Sequence, residues 1–199
     1  MVQNATDGLP ARGRPPSFDR PAVIDAALRA FWPAGAGGTT VADLERATGV
    51  DRSSLYNSFG GKGGLHRAAA EAYVGRVEAG LFAPLRDGDR GVTDIEAFLD
   101  RLAGMLASAE TPAGCFIVNS MGRGDRDAHA TARYLDGLRE ALSAAVSRAV
   151  DHGELDADGA ADLASALVAG VLGANLIAST AGASAAGDHL ASLARLLRM

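Results

Sequence analysis

The stretch 39–62, TTVADLERATGVDRSSLYNSFGGK, leaves the backbone that carries it few choices. Thr40-Val-Ala-Asp43 has the pattern of a capping box with Asp in place of Glu, so a helix starts there and turns Val41, Leu44 and Ala47 toward a core. The helix is short, because Gly49 stops it. Asp51 then caps a second helix over residues 52–58, in which Leu55 and Phe59 lie one turn apart and anchor it inward. Two short capped helices joined by a tight Gly49-Val50 turn have helix-turn-helix spacing.

The flanking sequence extends this pattern. Residues 1–18 are rich in Gly, Pro and Arg without an apolar period, which predicts a flexible arm. A helix follows from Asp19, which can cap it, with Pro21 in its first turn and Ile24, Ala27, Leu28 and Phe31 at helical spacing. Pro33 and the glycines at 35, 37 and 38 are expected to end it. After GGKGG a longer helix is expected over 65–82, with 84–91 as a break. Thr93-Asp-Ile-Glu96 reads as a second capping box opening a helix to about 109. Further helices are expected at 115–120, 128–152, 160–179 and 187–197. The result is an all-α chain of about nine helices, divided into an arm (1–18), a three-helix unit (19–64) and a larger helical body (65–199). The composition agrees, since hydrophobic residues make up 48% of the chain but aromatics only 5%, which suits close helix packing.

Several function classes fall away. With Cys115 the only cysteine, an internal disulfide and a cysteine-based zinc site are ruled out, and nothing in the pattern calls for a metal or a cofactor. The start MVQNATDGLP lacks the apolar core of a signal peptide, and the most apolar run, 163–178, is shorter than the roughly 20 residues of a membrane span. It is read as a buried helix, and the chain as cytoplasmic, with no membrane partner. GGKGG is a poor phosphate loop, because no strand precedes it and no Ser or Thr follows the Lys. Charge is uneven: residues 1–67 hold eight basic and six acidic side chains, the remainder 11 and 18. A weakly basic end on an acidic body suits one end that meets DNA.

The outward side chains of the second short helix fit that partner. Arg52, Ser53, Ser54, Tyr56 and Asn57 are all hydrogen-bonding types on a helix that a major groove about 12 Å wide can admit. Arginine can contact guanine bidentately, asparagine can pair with adenine, and hydroxyls serve either. Gly13-Arg14-Pro15 in the arm, Phe31-Trp32 closing the first helix, TTVADLERATGV, then SSLYNSF and a Lys together resemble the DNA-binding domain of the TetR/AcrR family over residues 12–75. The LYxxF-x-x-K element is the specific part; beyond it only helix number, length and order are similar. The resemblance implies a non-enzymatic regulator, a repressor that binds a palindromic double-stranded operator as a homodimer and leaves it when a small-molecule effector binds. By position it implies phosphate contacts at Thr40, Tyr56 and Lys62, and base-facing roles for Arg52, Ser53 and Asn57. Arg12 and Arg14 become candidates for minor-groove or backbone contacts. This chain departs from the family pattern at Ala36, where an aromatic is usual. Gly60, Gly61, Gly63 and Gly64 stand where acidic or polar residues are usual, so the fourth helix should start poorly capped.

In the body, Leu163, Leu167, Val171 and Ala174 form one apolar set and Ala164, Val168, Leu172 and Leu176 another, giving one face for the core and one for a second copy. Gly170 and Gly173 permit close approach, and His189, Leu190, Leu193 and Leu197 are expected to extend the same surface. Candidate effector-pocket residues are Leu102, Met105, Leu106, Cys115, Phe116, Asn119, Met121, Tyr134, Leu138 and Asn175, apolar walls with a few polar groups. Cys115 is expected near a helix start, where amide groups lower a thiol pKa, so a thiol-based electrophile or redox sensor is the alternative reading. An enzyme would pair Cys115 with His129 or His152, which no spacing supports.

Overall fold

The computed structural model describes residues 18–108, 113–125 and 127–198. α1 (Arg20–Gly38) holds Pro21 in its first turn, while Asp19 makes no side-chain cap. The predicted stop is a break rather than an end: Gly35 takes φ 71° and ψ 179° two residues after Pro33, and helical backbone resumes to Gly38. A Cβ at Gly35 would also lie 2.1 Å from Asp125 Oδ2, so glycine is required there twice over.

α2 (Val41–Thr48) and α3 (Arg52–Phe59) form where read, although in α2 only Leu44 is buried, Val41 being half-buried and Ala47 exposed. Thr40 and Asp43 close the capping box in both directions, Gly49 ends α2 in the left-handed conformation, and the Asp51 carboxylate accepts from Ser54 N–H. α4 is one rod made of three pieces: Lys62–Val77, a π-helical turn over Glu78–Phe82, and a last turn Ala83–Arg86. Its N-cap, Gly61, supplies no side-chain bond, as the glycine-rich sequence leads one to expect. The expected break at Pro84 does not occur. Ala83 N–H donates to Glu78 O five residues back, and Pro84 follows with no N–H to place.

α5 (Val92–Ala107) has Gly91 as its N-cap, two residues before Thr93, and the expected capping box does not form. Asp94 is buried instead, accepting from the Arg90 N–H at 2.8 Å and from Arg90 Nε at 2.9 Å. α6 (Phe116–Arg123), α7 (Ala128–Asp151), α8 (Ala160–Ala181) and α9 (Ala183–Leu196) complete the chain. Among the described residues these nine helices are accompanied by no strand.

α7 is the central post. Tyr134, Leu138, Ala141, Leu142 and Ala145 recur every three or four residues and are all buried. Arg148 near its end donates to Leu85 O at 2.5 Å and Arg86 O at 2.7 Å, closing the last carbonyls of α4 with a cation. Glu71 on α4 accepts from Arg133 and from His129 Nδ1 on α7, and Arg67 pairs with Asp127 at 3.2 Å. α4 is thereby bolted to the body along its length.

α8 is longer than the apolar run suggested: its 22 residues make it the one helix among the described residues long and apolar enough to cross a membrane by length and composition. One side of it, through Ala164, Leu167, Val171 and Ala174, is buried in the fold. The small residues act within the chain, since a Cβ at Gly170 would meet Leu193 of α9 at 2.5 Å. Leu190 and Leu197, expected on the outer surface with Leu193, turn inward; Leu176 and Leu196 are the exposed leucines.

Candidate nucleic-acid interface and cavity

α3 is held from below and capped from the side. Leu55 and Phe59 are buried, and the Arg20 guanidinium lies 4.2 Å from the centre of the Phe59 ring while donating to Ser58 O at 2.9 Å. This second anchor, with Phe18 stacked on the same ring, carries no periodic signal and was not anticipated from sequence. Gly64 brings α4 against the end of α3: a Cβ there would lie 1.6 Å from Phe59 O. The glycines that leave α4 uncapped thus also let it approach closely.

The outward residues divide into two groups. Ser53 and Ser54 donate their hydroxyls to Asp51, and Ser54 is half-buried, so both belong to the cap as built. Those bonds, the one from Ser53 foremost, lower the Asp51 pKa to about 2, so the cap is fully charged at neutral pH. Arg52, Tyr56 and Asn57 project from the exposed face without a side-chain hydrogen bond or ion pair among the described residues, and Tyr56 is 67% exposed. Thr40 is exposed beside them, its hydroxyl donating to Asp43 at 2.6 Å.

Lys62 differs from its expected role. Its ammonium turns inward, donating to Ala36 O at 2.7 Å and Thr39 O at 3.0 Å, and so ties the start of α4 to the carbonyls at the end of α1. Arg12 and Arg14 lie outside the described residues.

Behind this face α1 is gripped by the body. Arg123, at the end of α6, donates to Trp32 O at 2.9 Å, and Asp125 lies against Gly35. Trp32 meets Tyr73 and Phe116 edge-on at 5.1 Å and 5.7 Å, and His66 meets Phe31 at 5.0 Å. Burial lowers the His66 pKa, against the opposing pull of Asp125 and Asp127.

Next to this cluster is a cavity of about 260 Å³. Of the ten residues proposed from sequence, Leu102, Met105, Leu106, Tyr134 and Asn175 line it. The other five do not: Phe116 is part of the aromatic cluster, Leu138 is fully buried core, Asn119 donates to Ala113 O, Met121 packs against the core, and Cys115 is buried behind the lining residues Tyr73 and Tyr134. Sequence reading missed the α1 and α4 wall, namely Asp25, Leu28, Arg29, Trp32, Tyr73, Arg76, Val77 and Leu81. On the sequence these belong to two amphipathic helices; only their crossing makes a cavity.

Cys115 is 2% exposed, and burial raises its thiol pKa despite hydrogen bonding from Tyr73, Tyr134 and the amides of Ile117 and Val118. The lowered pKa expected from its place before α6 is therefore corrected: desolvation outweighs the amides. His129 is tied to Glu71 rather than to the thiol, so no nucleophile–base pair forms with it.

A short capped helix with a free polar face, projected by an all-helical body that grips it through α1 and α4, defines a helix-turn-helix DNA-binding transcriptional regulator. Residues 23–69 match the family described as "Bacterial regulatory proteins, tetR family", and residues 91–193 match "Tetracyclin repressor-like, C-terminal domain". The chain belongs to the tetR family. It is 39% identical over 114 residues to the HTH-type transcriptional repressor ComR of Escherichia coli, a match spanning 55% of this chain and only 53% of that relative. It is 28% identical over 152 residues to the HTH-type transcriptional repressor AcnR of Corynebacterium glutamicum, covering 74% of each. Among solved structures, a cysteine mutant of the TetR family regulator CifR complexed with 26bp double-strand operator DNA is similar at a TM-score of 0.76 and 26% identity, over 93% of this chain and 98% of that one. A TetR transcriptional regulator from Chloroflexus aurantiacus gives 0.75 and 27%, over 89% and 93%.

Proposed function

We propose that the protein is a repressor that binds a palindromic operator in the cytoplasm as a homodimer and is released by a small molecule in the cavity. The observation that carries this reading is the α3 face. Arg52, Tyr56 and Asn57 stand free on a helix whose own caps and anchors are already satisfied, so their donors and acceptors remain for base edges and phosphates. Thr40 and, once displaced from Asp51, Ser53 supply further hydroxyls. Leu176, 55% exposed on α8, and Leu196, 60% exposed on α9, with Val168 and Leu172 half-buried between, give a second apolar face for a copy of the chain. Twofold pairing there sets two α3 helices on one side of a duplex, hence the palindrome. The names of the repressors ComR and AcnR, and the operator complex of CifR, support the reading.

The test is selection of duplexes from a random library by the full-length protein. An inverted repeat with half-sites about one helical turn, or a multiple of it, apart is expected. Arg52→Ala and Asn57→Ala should each relax selection at one position per half-site, at about 1–3 kcal/mol. Selection of no sequence, or unchanged selection by both variants, would overturn the assignment.

A further inference from the structure

We propose that the cavity is built for a small monoanionic amphiphile, an aryl or alkyl carboxylate, with its acid group at the mouth between Arg29 and Arg76 and its apolar body inside against Leu28 and Trp32. The inference rests on reading this cavity as the effector site. Size sets the first limit. About 260 Å³ exceeds the roughly 150 Å³ that holds a benzene ring and falls below the roughly 300 Å³ at which drug-sized pockets begin, so one ring with a short chain fits.

Charge sets the second. Among the described residues, three charged ones line the cavity: Asp25, Arg29 and Arg76. Arg76 Nη1 lies 2.7 Å from Asp25 Oδ1, both side chains about half exposed, while Arg29 on the exposed side of α1 has no ion pair among the described residues. The mouth therefore carries one cation in excess, which a single negative charge balances. The deep end offers no charge among the described residues. Burial holds the Tyr73 and Tyr134 hydroxyls well above the usual phenol range, so both stay protonated, and Asn175 Nδ2 is committed to Val171 O at 2.9 Å. A carboxylate placed there would be a desolvated charge without a counter-ion. An acid must enter tail first and leave its head with the arginines. Because Arg29 and Leu28 belong to α1, an occupied mouth joins the DNA-reading unit to α4 by a new contact.

Trp32 is the only tryptophan and lines the cavity, so its fluorescence reports occupancy without a label. The probes are 4-phenylbutanoate, 4-phenylbutan-1-ol and 4-phenylbutan-1-amine, titrated into the full-length protein with calorimetry alongside. The acid should bind about tenfold more tightly than the alcohol, as one partly exposed charge-assisted contact supplies. The amine should bind most weakly. Arg29→Met, which breaks no ion pair, should reduce that preference, and Arg29→Met with Arg76→Met should abolish it while alcohol binding, which also reports an intact fold, persists. Equal or tighter binding of alcohol or amine, a preference surviving the double variant, or no binding of any probe overturns the proposal. Operator release is scored separately: an acid that binds yet leaves operator complexes intact refutes effector control and not the site.

Discussion

Lys62→Met separates two roles for one side chain. In the structure the ammonium donates to Ala36 O in the last turn of α1 and to Thr39 O just beyond it, carbonyls at a helix end where no further turn supplies N–H partners. Hydrogen bonds from a charged donor contribute about 1.5–3 kcal/mol each when well shielded. This site is only partly buried, so screening brings the pair down to about 1–2 kcal/mol in all. For a chain of this size that corresponds to a fall in Tm of roughly 2–8 °C. The melting is followed by circular dichroism without DNA, at one fixed protein concentration because dimerisation couples to stability. Operator affinity is then measured against salt. A phosphate contact contributes about −0.9 to the slope of log affinity against log salt, and its loss flattens the slope by that amount. An inward clamp predicts a lower Tm with an unchanged slope. A variant that melts like the parent while its slope flattens would refute the clamp and restore Lys62 to the phosphates.

Other expectations follow from single residues. Leu55→Ala should cost about 2–5 kcal/mol and abolish operator binding, since the side chain is 3% exposed and seats α3; a melt within 1 °C of the parent would contradict this. Gly64→Ala should unfold the DNA-reading end, because its Cβ would overlap Phe59 O; limited proteolysis of the first 80 residues or so is the readout, and parent-like resistance counts against it. His66 has a folded pKa below its ordinary 6.5, so its contribution to stability is complete above pH 6.5 and is lost as pH falls through the lowered value. His66→Phe should flatten the decline in Tm between pH 6.5 and 5, and an identical pH profile would assign that decline to other groups. Leu176→Glu should shift the protein toward monomer in sedimentation; an unchanged dimer would place the interface elsewhere.

What the sequence revealed depended on how local the cause was. The caps at Thr40 and Asp51 and the stop at Gly49 act within four residues, so the starts of α2 and α3 and the end of α2 were readable, and α3 runs only one residue past its expected end, to Phe59. Thr93 and Glu96 looked like a capping box because that pattern is local, but α5 already begins at Val92, and Arg198, far along the chain, claims Glu96. No sequence rule sees that competition. The direction of Lys62 depended on where the end of α1 lies against the start of α4, and half of the cavity wall on how α1 crosses α4. Cys115 shows the same limit: its position before α6 was legible, while the burial that raises its pKa, against the hydrogen bonds of Tyr73 and Tyr134, depends on how the helices pack around it.

Pro84 was read as the end of a helix, and its part is different. A wide turn inside a continuous helix is slack, one residue more than the rise requires, and slack can creep along a rod as each N–H exchanges one carbonyl for the next. Pro84 has no N–H to exchange, and its ring crowds the carbonyl four residues back. The slack is therefore parked at Glu78–Phe82, a turn that itself gives Leu81 to the cavity wall, with Val77 immediately before it. The expected consequence is that a motion imposed on α4 at the cavity passes along the rod as a tilt rather than being absorbed as a local slip.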